Sequence, residues 1–236
     1  MITDDLNHAL DQYGLVTRGA FYPALSDLAH LTARPDFSHL TVQPDFSPLN
    51  MGTIILVGNI GPHMWRVFSK SMADVPHPLD TWTEAVISPI ADDFGATAAF
   101  PFEGPPYHPF QRWALAADDV SPSPIGPLIH PLYGMWHAYR AAFLFTDRLE
   151  IPVTTEKTPS PCISCRNKPC LNTCPVGAFT AEGYDVPGCR AHIGSPGGET
   201  CLSAGCLARR ACPVGQDYIY EGPQAAFHMD KFLNAD

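Results

Sequence analysis

Eight cysteines, all lying between Cys162 and Cys212, are the residues of this 236-residue chain whose type and spacing most clearly admit chemistry. They run Cys162-x2-Cys165-x4-Cys170-x3-Cys174-Pro175, then Cys189, then Cys201-x4-Cys206-x5-Cys212-Pro213. Four disulfides are one use of eight cysteines, but tight C-x-x-C spacing in a reducing compartment favours metal binding. Zinc is a rival guest, although zinc knuckles prefer C-x2-C in both pairs and have no need of two Cys-Pro ends. If all eight are ligands, none is left as a thiolate nucleophile, and covalent cysteine catalysis is excluded.

The motifs "CPVGA" at 174–178 and "CPVGQ" at 212–216 mark two pseudo-equivalent halves. This pattern resembles the bacterial dicluster ferredoxins over roughly residues 155–222. In that family the proline-flanked cysteine of each run ligates the other cluster. The resemblance therefore implies one 4Fe-4S cluster on Cys162, Cys165, Cys170 and Cys212, and a second on Cys174, Cys189, Cys201 and Cys206. The family spacing is x2, x2, x3, and both halves here are looser.

Clusters of this kind carry one electron at a time, so the residues ahead of them should hold a cofactor or a docking face. The informative stretch is "IHPLYGMWHAYRAAFLFTDRLEIP", residues 129–152, with a turn at Pro131 and Gly134 and the aromatics Tyr133, Trp136 and Tyr139. Such a composition suits the wall of a pocket for a flat macrocycle, and serves equally well as core beside a strand. The stretch resembles the cobalamin-binding region of the cytosolic vitamin B12 processing family, the cobalamin C type decyanase and dealkylase. There an "IHP" turn, an aromatic, a glycine and a tryptophan introduce a strand that ends like "E-x-P". "TIILVGNIGPHMWRVF" at 53–68, with "HPLD" at 77–80, is similar to that family's earlier strand, turn and helix.

A corrinoid domain followed by a dicluster ferredoxin also resembles the layout of epoxyqueuosine reductases and reductive dehalogenases. The resemblances imply an α/β (α+β) architecture: a nitroreductase-like corrinoid-binding domain over 1–152 and a ferredoxin-like domain over 153–236. They point His130, Pro131, Tyr133, Gly134 and Trp136 at a base-off cobalamin, with flavin as the less favoured occupant. For His130 a structural hydrogen bond in the turn is expected ahead of ligation to cobalt. Met135 stands where the family has a second glycine. His63, His77, His108 and His137 receive no role.

The elements that must position these residues follow from pattern. Asp4 and Asp5 open a short helix that Gly14 ends, with a strand in "LVTRGAFY" after it. "PDFS" at 35–38 and again at 44–47 reads as loop. A buried strand runs through residue 57 to a glycine turn and a helix from about residue 62. That turn lacks G-x-G-x-x-G, so it is not a dinucleotide loop. Thr81 and Glu84 fit a capping box for a helix kinked by Pro89 and closed by Gly95. "ATAAFPF" reads as a strand, "PFQRWALAADD" as a helix, and "RLEIPVTTEKTPSP" as a linker marking the domain boundary. The tail "GPQAAFHMDKFLNAD" reads as a helix packed on the front domain.

The formal charge is −10, with 7 Lys and Arg against 16 Asp and Glu in residues 1–150 and 7 against 8 in the rest. An acidic chain without a basic stripe argues against a nucleic-acid partner. The N-terminus "MITDDLNHALDQYG" has neither a basic region nor an apolar run, so no secretory signal is expected. Apolar runs such as "IILV" are far shorter than the roughly 20 residues a membrane helix needs. A cytoplasmic protein is expected, with a corrinoid and a low-potential electron donor as partners. The function that follows is reduction of bound cobalamin by two clusters, with loss of an upper cyanide or alkyl ligand. The alternatives are a ferredoxin that docks a corrinoid enzyme or carries a corrinoid without turnover, and a cobalamin-dependent reductase of epoxyqueuosine or an organohalide.

Overall fold

A computed structural model describes residues 1–24, 27, 52–152, 157–180 and 183–235. The "PDFS" pair lies outside the described residues. Two compact units form, one from residues 1–119 and 138–156, the other from 120–137 and 157–236. The boundary read at 152/153 thus differs from the structural division, which groups 120–137 with the cysteines.

In chain order the first stretch holds α1 (Ile2–Asp11), β1 (Val16–Phe21), β2 (Thr53–Ile60), α2 (His63–Phe68), α3 (Pro78–Asp93), β3 (Thr97–Ala99) and α4 (Phe110–Ala117). There follow β4 (Ser121–Pro122), β5 (Leu128–Ile129), β6 (His137–Phe145), α5 (Pro161–Ser164), α6 (Pro169–Asn172), β7 (Phe179–Thr180) and β8 (Gly183–Tyr184). The chain closes with α7 (Val186–Ile193), α8 (Glu199–Ala204), α9 (Leu207–Arg210) and α10 (Gly222–Leu233).

The first unit is built on a four-stranded sheet in the order β1-β2-β6-β3. β1 runs antiparallel to β2, with Val16 opposite Gly58, and β3 antiparallel to β6, with Thr97 opposite Leu144. β2 is central and buried from Thr53 through Asn59, which is why its sequence is continuously apolar rather than alternating. β1 is an edge strand whose register shifts between Thr17 and Ala20. Gly19 sits in that irregularity at φ +92, where an added Cβ would lie 2.1 Å from the Ala117 carbonyl oxygen. In α1, Leu6 and Leu10 share a face and are fully buried, while Asp4 and Asp5 complement the helix N-terminus.

Helix α3 begins at Pro78, earlier than the Thr81–Glu84 capping box implied. Proline fixes φ at a helical value and has no N–H to leave unpaired, so "HPLD" opens the helix without a side-chain cap. The helix continues past Pro89 to Asp93.

The second unit has little regular structure and a small core. Ile125, Ile129, Met135, Cys170, Ala208 and Cys212 form one buried cluster, with Cys162, Cys174 and Cys206 packed against it. The thiols are therefore part of the core rather than decoration on it, as in small folds that need a staple. The tail helix α10 packs on α8 and α7 of this same unit, correcting the expectation of a front-domain helix. Its partner is set by Arg190, which donates to the Phe232 carbonyl at 3.1 Å and lies 5.4 Å from the Phe232 ring centroid.

Candidate functional site

Proline and small caps place the cysteines. Ser160 Oγ accepts from the Cys162 N–H at 3.4 Å, and Pro161 opens the one-turn helix α5 that carries Cys162. Lys168 then takes a left-handed backbone, φ 35, and Pro169 starts α6 with Cys170 in it. Asp185 caps α7 by accepting from Gly188 N–H at 3.0 Å, and α7 carries Cys189. Cys201 lies in α8, and Cys206 is the residue preceding α9.

These loops enclose two cavities within the second unit. The first, about 270 Å³, has Cys162, Cys165, Cys170 and Cys212 in its wall. The second, about 350 Å³, has Cys174, Cys189, Cys201 and Cys206 in its wall. Each half of the sequence repeat thus sends its Cys-Pro cysteine to the cavity of the other half. Among the described residues no group of three or more His, Cys, Asp and Glu side chains is close enough to hold a single metal ion. Tetrahedral zinc, with Zn–S bonds of about 2.3 Å, would need sulfurs about 3.8 Å apart. Both cavities are also several times the roughly 30 Å³ that one water occupies. Four thiols around that much space fit a guest of several atoms.

The backbone is already arranged for sulfur anions. Ala178 N–H donates to Cys174 Sγ at 3.3 Å, the N–H groups of Arg209 and Ala208 turn to Cys206, and that of Val214 turns to Cys212. Such donors hold a thiolate without adding charge. Burial pushes the thiols of Cys170, Cys189, Cys206 and Cys212 above their ordinary value, with neighbouring cysteines adding to the shift. A cationic centre would relieve that repulsion, so metal binding must expel protons. Tyr184 hydrogen-bonds Cys189, and burial followed by that bond raises the Tyr184 pKa, so its hydroxyl stays protonated.

His130, Pro131, Tyr133, Gly134 and Trp136 form one hairpin of the second unit. His130 and Gly134 exchange backbone hydrogen bonds of 2.8 and 3.0 Å. The His130 Nδ1 accepts from Leu132 and Tyr133 N–H groups at 3.0 and 3.3 Å, and its ring stacks on Tyr133 at 4.2 Å. Gly134, at φ +59, meets the chain just after Cys212: an added Cβ would lie 2.1 Å from the Val214 carbonyl oxygen. Trp136 is 3% exposed and packs edge-on against Tyr220, with the Arg209 guanidinium 4.5 Å from the Trp136 ring centroid and 4.7 Å from that of Tyr220. Arg209 also donates to the Met135 carbonyl. Gly134 and Trp136 are therefore committed to packing, while His130, Pro131 and Tyr133 retain partial exposure.

Sequence reasoning passed over two groups. His192 and Tyr184 line the second cavity beside the cysteines. Cys189 and His192 stand three apart in α7, a helical spacing that would have paired them had the helix been foreseen. In the first unit, Arg18 is 3% exposed and donates to Asp118 Oδ2 at 2.7 Å, and the Tyr139 hydroxyl donates to the same oxygen at 2.9 Å. Arg140 reaches Asn59 Oδ1 at 3.0 Å alongside. Burial, then Asp118, raises the Tyr139 pKa and keeps its proton in place. Nothing in local spacing announces a pair 100 residues apart.

No protein-family model matches the chain, and no curated protein matches it by sequence. Among solved structures, a C. elegans B12-trafficking protein CblC, described as a human MMACHC homologue, aligns over 98% of this chain and 92% of its own at TM-score 0.53 and 15% identity. A selenomethionine-labelled epoxyqueuosine reductase aligns over 95% of this chain and 68% of its own at TM-score 0.50 and 14% identity. At such identities the likeness is one of fold, and the chain has a CblC-like mixed α/β fold.

Proposed function

We propose that this protein is an iron–sulfur oxidoreductase acting on cobalamin, with a 4Fe-4S cluster in each of the two cavities. The observation that carries the reading is the sorting of eight thiols into two cavities of four, each completed by a cysteine from the opposite half of the repeat. The resemblance of the cysteine pattern to dicluster ferredoxins supports it, as does the fold shared with a B12-trafficking protein and an epoxyqueuosine reductase.

When bound, the clusters supply single low-potential electrons and cobalamin supplies the metal that takes them, with loss of its upper cyanide or alkyl ligand. The chain's own contributions are more limited. Cys162, Cys165, Cys170 and Cys212 hold one cluster, and Cys174, Cys189, Cys201 and Cys206 the other. The N–H groups of Ala178, Ala208, Arg209 and Val214 steady the thiolates. The partly exposed face of His130, Pro131 and Tyr133 is the proposed approach to the corrin, stiffened from behind by Gly134 and Trp136. With Nδ1 occupied by two backbone donors, His130 shapes the turn.

The test is anaerobic reconstitution followed by iron and acid-labile sulfide analysis, then titration with hydroxocobalamin and cyanocobalamin before and after a low-potential reductant. About eight iron and eight sulfide per chain, a saturable base-off absorbance change and catalytic release of cyanide are expected. Two zinc ions per chain would replace the cluster reading. An unchanged cobalamin spectrum at saturating protein would remove the corrin reading and leave a dicluster electron carrier.

A further inference from the structure

The two cavities come from pseudo-equivalent halves of the sequence, yet their walls differ. Apart from cysteines, the first is closed by apolar and proline residues together with Ser164 and Lys168. Ser164 Oγ is engaged with the Pro161 carbonyl at 3.3 Å. The second carries Tyr184, His192 and Arg209. Tyr184 already hydrogen-bonds the Cys189 sulfur, and its ring is held by stacking on Phe179 at 4.8 Å and on Phe232 at 6.1 Å. His192 stands one turn after Cys189 on α7, and its Nε2 is buried with no hydrogen-bond partner among the described residues. In the tautomer that carries the proton on Nε2, the ring of this cavity-lining residue needs an acceptor. Cluster sulfide and cysteinyl sulfur are acceptors of that kind.

We infer that Tyr184 and His192 are hydrogen-bond donors to the cluster of the second cavity and set its potential above that of the cluster in the first. The inference rests on the cluster reading proposed above. Donors to cluster sulfur stabilise the more negative, reduced state and so raise the potential. One electron then passes spontaneously from the reduced cluster of the first cavity to the oxidised cluster of the second. The former is oxidised by one electron and the latter reduced by one, and the donor hydrogens remain on Tyr184 and His192. The second cavity is thereby the resting place of the electron. Both residues act as positioning residues through the cluster.

The test is an EPR-monitored redox titration of the reconstituted full chain, comparing the native protein with Tyr184→Phe, His192→Leu and, as a control at the first cavity, Ser164→Ala. Two one-electron waves are expected in the native protein. Each of the first two variants should move the higher wave downward by about tenfold in the equilibrium, about 59 mV for a one-electron couple, and leave the lower wave in place. Ser164→Ala should move neither. If Tyr184→Phe loses a cluster, His192→Leu and His192→Gln carry the test, Gln restoring part of the shift as a donor. Coincident native waves, or a higher wave unmoved by both variants, would overturn the inference. Iron and sulfide analysis separates this from failure of the underlying reading, since a native chain without clusters sinks both.

Discussion

At the scale of single residues, buried polar groups set the sharpest expectations. Gln224 is fully buried on α10 with neither amide atom hydrogen-bonded among the described residues. Gln224→Met keeps the shape and removes the unpaired groups, so a gain of about 1 kcal/mol is expected, read as a higher Tm in the native background. A lower Tm would mean that the amide has a partner such as a bound water. Asp118 is the reverse case, accepting from both Arg18 and Tyr139. Asp118→Ala leaves a buried guanidinium without its counter-charge, and about 3–5 kcal/mol of destabilisation is expected in denaturant unfolding. Double substitution of Arg18 and Asp118 by apolar residues should recover most of that loss, which distinguishes an uncompensated charge from a simple packing defect.

The hairpin from Leu128 to Trp136 is the element whose fit is least forgiving. Gly134 and Gly215 meet backbone to backbone, since a Cβ on Gly215 would lie 2.3 Å from the Tyr133 carbonyl. Gly134→Ala combines a positive φ with a clash against Val214, two residues after the cavity cysteine Cys212, and a loss of at least about 2 kcal/mol is expected. The same variant should lose iron from the first cavity before the second, measurable by partial chelation followed by EPR. Retention of both clusters at native stability would show that the hairpin and the cysteine loop are independent. A thiol substitution reads out the crossing directly. Cys212→Ser should impair the cluster of Cys162, Cys165 and Cys170, and Cys174→Ser the other, so each variant retains a different EPR signal.

For the whole molecule, the thiols couple stability to pH. Burial holds Cys170, Cys189, Cys206 and Cys212 above their ordinary pKa in the folded, metal-free chain. The unfolded chain therefore gives up its thiol protons first. Their contribution to stability is fully present below the unfolded value of about 8.5 and falls as pH rises through and beyond it. The metal-free protein should show a Tm that declines above that pH, whereas the reconstituted protein should not, because its thiolates are already formed. Chelation should show the opposite trend, proceeding faster at acid pH as protons compete for sulfur. Among the described residues no helix is long and apolar enough to cross a membrane.

Much of the site was legible along the chain because its chemistry is local. Cysteine spacing, the two Cys-Pro ends and the apolar run of β2 each report on a few neighbouring residues, and loops of that length leave thiols little choice but to converge. The turn at His130 and Gly134 was equally readable, since proline and glycine restrict the backbone wherever they stand. What they pack against was not. That Gly134 lies on the chain after Cys212, that residues 120–137 cluster with the cysteines, and that Arg18 finds Asp118 are all contacts between distant parts of the sequence. The unlike walls of the two cavities belong with them, because near-identical "CPVG" motifs give no hint of Tyr184 and His192. Such pairings depend on which surfaces bury one another, a property of the packed chain that no window of sequence contains.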